Sequence, residues 1–278
     1  MKKLGFELID SQNTTLQIIL EMADKFIAEG GTYFNISYSP RYKENEVIFR
    51  EAVAKRYPRN KYTIADSFPI FISGNENQFE CIFDKQLQNC GIEYFDYYFI
   101  SIFNQEDYKK LQKTDILNFL ERKKAEHKIR HIGISFSGPP ELLEQTLSEY
   151  TEIEYVQLSV NYLDWYSDTR LVQCYETVTE HKKPVIAVNP TKNGILSDIP
   201  AEVQKLFETA ENKKSVASWP IRFAATHSNV MIVLPSINDM TQMDDSLSYM
   251  MKFKPLNKKG MDIVKNAADI IKAAAKIN

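Results

Sequence analysis

The sequence predicts a single (β/α)8 TIM barrel of parallel strands formed by the whole chain, residues 1–278. Eight apolar segments rich in β-branched and aromatic residues alternate with longer segments of helical periodicity, as in a parallel sheet covered by helices. The length of 278 residues suits an α/β barrel, which takes about 250 residues as one domain. An open, doubly wound sheet is the alternative, but the GxGxxG turn expected after its first strand is absent from the sequence.

The predicted strands are short segments dominated by apolar residues. In chain order they are LGFELI, TYFN, YTIADS, YYFIS, HIGIS, YVQLSV, PVIAVN and VMIVLPS. Between them, Asn45 to Tyr57, Phe79 to Cys90 and Ile116 to Lys124 place apolar residues three and four apart, which predicts helices that cover the sheet. The longest segment expected to be irregular runs from Asn193 to Ser215. A predicted helix, SWPIRFAATH, follows it, and the first turn of that helix tolerates Pro220.

The composition excludes several classes of protein. A hydrophobic share of 44% with 26% charged residues is that of a folded globular protein. The net charge of −3 and the lack of a basic face argue against nucleic-acid binding. No apolar segment reaches the roughly 20 residues of a membrane span, and the N-terminus has no signal-peptide hydrophobic segment. A cytoplasmic protein without membrane contact is therefore expected.

The three cysteines, Cys81, Cys90 and Cys174, do not have the spacing of a cofactor site or a disulfide framework. They are odd in number and include no CxxC pair, so neither a zinc site nor an iron–sulfur site is predicted. Each thiol is expected to be buried as a small apolar side chain.

Polar residues collect where the predicted strands end. From the second strand onward the ends carry Asn35, Tyr38, Asp66, Ser67, Ser101, Ser135, Ser137, Ser159, Asn161, Asn189, Ser236 and Asn238. The carboxyl ends of the strands of a parallel barrel meet at one mouth, so these groups should form a hydrogen-bonding pocket. Strand alternation places Asp66 on the face opposite Ser67, toward the helices or the rim. The remaining groups do not titrate near neutrality, so no obvious acid–base pair is present.

Several longer segments resemble those of a known family. They are VIFREAVAKRYPR, QLQNCGIEYFDYYFI, KIRHIGIS, EYVQLSVNYLDW, KKPVIAVNPTKNG, ASWPIRFAA and VMIVLPSINDMTQMDD. In number and order they resemble the bacterial aldo/keto reductases that carry a ferredoxin-like iron–sulfur segment at the C-terminus. The resemblance covers the whole chain and implies a barrel of aldo/keto reductase type. The final segment, FKPLNKKGMDIVKNAADIIKAAAKIN, stops where the cysteine clusters of that subgroup would begin, so no iron–sulfur cluster is expected.

The resemblance also implies a catalytic tetrad, which this chain does not preserve. In the family a Tyr donates a proton to the substrate carbonyl, a Lys lowers the pKa of that Tyr, an Asp holds the Lys, and a His orients the carbonyl. Asn35 stands at the Asp position, Ser67 at the Lys position and Ser101 at the His position. Strict spacing places Pro40 at the Tyr position. Tyr38 replaces the Tyr only if the loop shifts, and otherwise it is a rim aromatic bonded to Ser67 or Ser101. Losing one proton-transfer group costs about 10² to 10⁴ in rate, so ordinary carbonyl reduction should be feeble.

The cofactor positions of the family are partly retained. The candidate cofactor-binding residues are Ser135, Ser159, Asn189, Ser236, Asn238 and Gln242. Ser159 stands where the family has the Gln that meets the nicotinamide, and Ser246 stands where it has the Asn that meets the adenine. Asp239 lies where the family offers an Arg or Lys to the 2′-phosphate, and a carboxylate there would repel that group. The resemblance therefore implies NAD or NADP as cofactor, without a preference for NADP.

The four histidines are not candidates for this pocket. They are His127, His131, His181 and His227, and all lie in predicted helix-to-strand connections. Those connections are at the end of the barrel opposite the mouth, where surface or capping roles are expected.

Three functions are compatible with these residues. The first is a nicotinamide-dependent oxidoreductase with impaired or altered carbonyl reduction. The second is a noncatalytic binding or regulatory protein on the same barrel, like the family's channel-associated β subunits, which leaves a protein partner open. The third is a nonredox enzyme that uses the pocket for a hydroxyl-assisted condensation or hydrolysis. All three imply a small-molecule ligand, and the fold alone does not separate them.

Overall fold

Eight parallel strands follow one another around a barrel in the computed structural model, which describes residues 2–8, 14–36, 44–69 and 76–277. The strands are β1 Gly5–Leu8, β2 Tyr33–Ile36, β3 Thr63–Phe68, β4 Phe95–Ile102, β5 Ile129–Phe136, β6 Tyr155–Ser159, β7 Val185–Val188 and β8 Val230–Leu234. β1 meets β8 at a bridge between Leu4 and Val233, where the Val233 amide donates to the Lys3 carbonyl at 2.7 Å. The predicted barrel and its eight strands are thus confirmed.

Helices connect the strands and pack on the outside of the sheet. They are α1 Leu16–Ala28, α2 Asn45–Phe49, α3 Glu76–Cys90, α4 Gln105–Lys113, α5 Ile116–Ala125, α6 Pro140–Glu149, α7 Tyr162–Ser167, α8 Thr169–Glu180, α9 Ala201–Ala210, α10 Ser218–Thr226, α11 Met240–Met250 and α12 Lys258–Ile277. α2 continues directly into a π-helical turn, Arg50–Ala54. The three predicted helical segments correspond to α2 with this turn, α3 and α5. No helix in the described part of the chain is both long enough and apolar enough to span a membrane.

Strand alternation separates an inner core from an outer core. The inner core, inside the barrel, consists of Tyr33, Ala65, Phe99, Tyr155, Ile186, Ile232 and Leu234. The intervening residues, such as Phe34 and Ile64, pack against the helices. At Gly133 the inner core leaves no room for a side chain, because a Cβ would lie 2.4 Å from the Tyr155 ring. Aromatic side chains therefore fill the barrel below the mouth.

The helices form where apolar residues repeat on one face. In α1, Ile19, Met22 and Phe26 are buried three and four residues apart, so one face of the helix covers the sheet. Thr15 caps this helix by accepting a hydrogen bond from the Ile18 amide.

The segment from 193 to 215, predicted to be irregular, contains a helix. α9 follows Pro200 and buries Val203 and Phe207, which are four residues apart. The Phe207 ring stacks on Trp219 of α10 at a centroid distance of 4.6 Å. The prediction was wrong because Val203 and Phe207 are surrounded mostly by polar residues, so the helical periodicity of this short segment is weak in the sequence.

The histidines lie away from the mouth, but not all are on the surface. His131 lies at the start of β5 rather than in the preceding connection, with its ring 4.9 Å from that of Tyr97. His227 follows α10 and is mostly buried against Trp165 at a ring-centroid distance of 4.0 Å. Burial, followed by the nearby Lys3, lowers the pKa of His227 to about 4. His227 is the C-cap residue of α10, which is one of the two expected roles, but it is also a neutral member of a buried aromatic cluster at neutral pH.

Candidate active site

The carboxyl ends of β3, β4 and β5 bring three of the predicted serines to the inner face of the mouth. Ser67 shares the inward face of β3 with Ala65 of the inner core. Ser101 of β4 and Ser135 of β5 pair in register, and Ser135 also pairs with Gln157 of β6. Neighbouring strands lie about 4.8 Å apart, so these side chains form a continuous polar surface.

Asn35 lies among these groups and is fully buried at the end of β2. Its side-chain oxygen accepts a hydrogen bond from Nε2 of Gln157 at 3.3 Å, from the other side of the barrel. Its Nδ2 donates to Oε1 of Glu7 in β1 at 3.4 Å. At the mouth, one carboxylate and two amides therefore form a hydrogen-bonded network: Glu7, Asn35 and Gln157.

Two of these inward-facing residues, Glu7 and Gln157, were missed by the sequence prediction. The predicted set begins at the second strand and so does not include Glu7 of β1. In β6 it contains Ser159 and not Gln157. Alternation supplies the missing signal, because Gln157 lies two residues before Ser159 and so shares its inward face.

The resemblance implies a proton donor at one of two positions, Tyr38 or Pro40, and both lie outside the described residues. Tyr33, Tyr97 and Tyr155 are the phenols described inside the barrel. Tyr33 and Tyr155 are fully buried, and Tyr97 is partly buried against them. Burial raises the pKa of all three, well above the usual range for Tyr33 and Tyr155. They are therefore weaker acids than an ordinary phenol and do not replace a donor whose pKa is lowered by a Lys.

Asp66 points away from the mouth toward α3, as the alternation of β3 predicts. Its carboxylate accepts hydrogen bonds from the Ser67 amide at 2.7 Å and from Nε2 of Gln86 at 3.3 Å. Nε2 of Gln86 also donates to the Ser67 carbonyl at 3.0 Å, and the Tyr98 hydroxyl donates to Oε1 of Gln86. Burial, with a further contribution from Glu46, raises the pKa of Asp66 well above its usual range. These contacts fix the end of β3, so Asp66 supports Ser67 and does not itself face a ligand.

A cavity of about 450 Å³ lies beyond the end of β8, between the connection after β7 and helices α10 and α11. We call it the β8 cavity. Three predicted cofactor residues line it together with the residue at the expected adenine position: Ser236, Asn238, Gln242 and Ser246. Four residues that the resemblance assigns to dinucleotide binding therefore line the same cavity.

Hydrogen bonds at the start of α11 fix the wall of the β8 cavity. Oε1 of Gln242 accepts from the Asn238 amide at 2.9 Å, and the Gln242 amide donates to Asp239 at 2.8 Å. This reciprocal arrangement caps the helix. Asp245 also lines the cavity, and its carboxylate accepts from the Ser215 hydroxyl at 2.6 Å. None of the described residues that line the cavity is a Lys or Arg.

The remaining predicted cofactor residues lie elsewhere. Asn189 has a positive φ of 52°, and its side-chain oxygen accepts from the Asn193 amide at 2.6 Å, so it stabilises its own turn. Ser159 lines a different cavity, between α8 and the ends of β4, β5 and β6. Ser135 faces the mouth. The predicted set is therefore divided among the mouth, two cavities and a turn.

The described residues include no group of three or more His, Cys, Asp or Glu side chains that could hold a metal ion. Cys90 and Cys174 are buried, whereas Cys81 is exposed, so the expectation of three buried thiols is wrong for Cys81. Burial raises the pKa of the Cys174 thiol to about 11, which keeps it protonated at neutral pH.

Comparisons with known proteins identify relatives of this barrel. The aldo/keto reductase family model matches residues 8–269. A thermostable aldo-keto reductase solved with the inhibitor epalrestat has a TM-score of 0.76 at 18% identity, over 96% of this chain and 95% of that one. An aldo/keto reductase from Brucella melitensis has a TM-score of 0.71 at 17% identity, over 95% of this chain and 93% of that one. The holo form of an aldo-keto reductase from Bacillus halodurans has a TM-score of 0.73 at 17% identity, over 95% of this chain and 91% of that one. A search of curated protein sequences found no match.

Proposed function

Because the chain belongs to the aldo/keto reductase family, we propose that it is an oxidoreductase that binds a nicotinamide dinucleotide at the barrel mouth. The observation that carries this proposal is the β8 cavity, on which Ser236, Asn238 and Ser246 lie together. A volume of about 450 Å³ and a lining of hydroxyl and amide groups suit the adenosine half of a dinucleotide.

The charges around the β8 cavity favour NADH over NADPH. Asp245 lines the cavity, Asp239 caps the adjoining helix, and the described lining has no Lys or Arg. A carboxylate accepts a hydrogen bond from a ribose 2′-hydroxyl but repels a 2′-phosphate. The described lining of the β8 cavity therefore offers no cation that would compensate the additional phosphate of NADPH.

Ser135 and Gln157 are the residues that would hold the nicotinamide amide. They pair in register between β5 and β6, and both point into the mouth. Gln157 offers an amide two residues deeper than Ser159, which stands at the position that the resemblance assigns to the nicotinamide contact. When bound, the cofactor supplies the hydride.

The described residues of the mouth can bind a carbonyl group through hydrogen bonds, and they include no counterpart of the family's proton donor. The hydroxyl groups of Ser67 and Ser101 face the mouth and can donate to a carbonyl oxygen. The described inward positions at this end of the strands contain no Lys, Arg or His that would lower the pKa of Tyr38. We therefore expect activated carbonyl substrates, in which an electron-withdrawing neighbour lowers the proton affinity of the alkoxide that forms.

Oxidation of NADH in the presence of isatin, an uncharged activated ketone, tests this function. We expect a saturable, isatin-dependent loss of NADH absorbance, and a rate with benzaldehyde close to background. Gln157→Leu should lower the isatin rate about tenfold or more, because an oriented amide is lost. Gln88→Leu, at an exposed position of α3, should leave it unchanged. Absence of isatin-dependent oxidation, or equal rates with benzaldehyde, would contradict the proposal.

A noncatalytic binding protein is the second candidate, and the bonds of Asn35 favour it. Asn35 is joined to Glu7 and Gln157, so the deepest polar groups of the mouth bind one another. On this alternative a dinucleotide binds and is not oxidised. Binding of NADH without turnover of isatin would support it.

A further inference from the structure

An open cavity lies at the end of the barrel opposite the mouth, where β4 and β5 begin. We call it the basal cavity. Its volume is about 590 Å³, which lies within the range of small-molecule sites. Two cations and two imidazoles line it together with a phenol and one apolar side chain, and the described lining includes no carboxylate. These residues are Tyr94, Lys124, His127, Ile129, Arg130 and His131.

A tight turn after α5 carries two of these basic side chains, Lys124 and His127. The His127 amide donates to the Lys124 carbonyl at 3.0 Å, and the Lys128 amide donates to the Lys123 carbonyl at 2.8 Å. These bonds satisfy two of the carbonyls that a helix leaves without partners at its C-terminal end. His127 completes the turn with a positive φ of 60°. Lys124 and His127 are therefore presented to the basal cavity by a hydrogen-bonded turn.

Glu154, behind the wall of the basal cavity, orients the imidazole of His131. Nδ1 of His131 lies 3.1 Å from Oε1 of Glu154, which also accepts from Nζ of Lys124 and from the Ile132 amide. Burial opposes ionisation, but the bonds from Lys124, Ile132 and His131 lower the pKa of Glu154. Because a carboxylate only accepts hydrogen bonds, Nδ1 of His131 carries a proton. This arrangement leaves Nε2 of His131 for a ligand.

Asp96 and Tyr94 orient Arg130 in a similar way. Nη1 of Arg130 donates to Asp96 at 2.9 Å, and Nη2 donates to the Tyr94 hydroxyl at 2.7 Å. Asp96 also accepts from Nη2 of Arg59 at 2.6 Å. Across these ion pairs three cations are matched by two carboxylates, so one positive charge remains before either imidazole is protonated.

We propose that the basal cavity binds the phosphate group of a small phosphate monoester. Lys124 and Arg130 supply charge, and His127 supplies a further donor. His131 donates from Nε2, because an adjacent dianion favours the protonated imidazole. A phosphate monoester carries nearly two negative charges at neutral pH and has three oxygens that accept hydrogen bonds from such groups.

This inference goes beyond the proposed function. The basal cavity lies at the opposite end of the barrel from the mouth and shares no described lining residue with the β8 cavity. Binding of a phosphate monoester there is therefore a separate property from binding of a dinucleotide.

Nuclear magnetic resonance of the histidine side chains tests the proposal on the intact protein. Phenyl phosphate and benzenesulfonate share the aromatic ring and differ by one negative charge, so each is titrated at about pH 7.5 and constant ionic strength. Phenyl phosphate should shift the signals of His127 and His131 saturably and bind at least about fivefold more tightly than benzenesulfonate. The signal of His181, which does not line the basal cavity, should stay in place. No saturable shift at His127 and His131, or equal affinities for the two compounds, would overturn the proposal.

Two matched variants locate the binding site. Lys124→Gln removes a charge from the wall and should weaken phenyl phosphate binding about fivefold or more. Lys128→Gln removes the same charge from a neighbouring residue that does not line the basal cavity, and it should weaken binding less than twofold.

A third variant keeps the proposal testable if Lys124→Gln does not fold. His127→Asn alters an exposed residue, and Asn also adopts the positive φ of that position, so binding should weaken several-fold in a folded protein. Parental affinity in a folded Lys124→Gln or His127→Asn variant would overturn the proposal. Equal losses in Lys124→Gln and Lys128→Gln would also overturn it, because binding would then follow the general surface charge.

Discussion

Asn35 illustrates why one substitution cannot restore the family's tetrad. Its Nδ2 lies 3.4 Å from Oε1 of Glu7, so an Asp at this position would face a second carboxylate. Two carboxylates at this distance raise each other's pKa unless a cation lies between them. With Ser67 in place of the Lys, the neutral amide is the side chain that bonds to Glu7 without a like-charge contact.

The combined changes Asn35→Asp, Ser67→Lys and Ser101→His should raise NADH-dependent reduction of benzaldehyde by about two orders of magnitude. Each single change should have little effect, because groups of one catalytic unit are not additive. This expectation holds if Tyr38 reaches the mouth; if strict spacing governs, Pro40→Tyr is needed as well. Steady-state rates for the parent, the single variants and the combined variant provide the measurement. Robust benzaldehyde reduction by the parent that persists in Tyr38→Phe would show that the catalytic argument is wrong.

At the scale of elements, α3 is tied to β3 and β4 through Gln86. This side chain is buried, donates to Asp66 and the Ser67 carbonyl, and accepts from Tyr98. A helix that packs only through apolar contacts tolerates small shifts, whereas these directional bonds fix α3 against the strand that carries Ser67. Contacts on the outer face of the barrel therefore hold the end of β3 that carries Ser67 at the mouth.

Gln86→Leu should lower the free energy of unfolding by about 2–4 kcal/mol, because it leaves buried polar groups on both strands without partners. Gln88→Leu places the same side chain at an exposed position of α3 and should change stability by less than about 0.5 kcal/mol. Urea unfolding of both variants measures the difference. Equal effects of the two substitutions would show that Gln86 does not link the elements.

Asp66 should make the stability of this region fall as pH rises. Burial and Glu46 raise its pKa above the unfolded value of about 3.9, so the fold favours the neutral carboxyl. Its contribution is complete below that unfolded pKa and is lost as pH rises through the folded one. Asp66→Asn, which cannot ionise, should therefore gain stability relative to the parent between about pH 5 and pH 8. The measurement is the free energy of unfolding of both proteins as a function of pH. Curves that run parallel for the parent and Asp66→Asn would contradict the prediction.

At the scale of the whole molecule, the barrel could be predicted because each strand segment is apolar enough to be recognised alone. The inward serines followed from alternation, and the same rule, applied one strand earlier and two residues deeper, would have found Glu7 and Gln157. The cavity that Ser159 lines was not predictable. Its wall combines Leu171 and Cys174 of α8 with Phe136 and Leu158 of β5 and β6, and no local sequence pattern shows that these residues meet.

The account depends most on the β8 cavity as a site for NADH. Calorimetric titration with NADH and NADPH should show saturable binding of NADH at least about tenfold tighter than that of NADPH, since Asp245 disfavours a 2′-phosphate. Ser246→Trp should abolish binding, whereas Leu171→Trp, at the separate cavity that Ser159 lines, should retain it. Failure of both nucleotides to bind, tighter binding of NADPH, or unchanged binding in a folded Ser246→Trp variant would contradict the account.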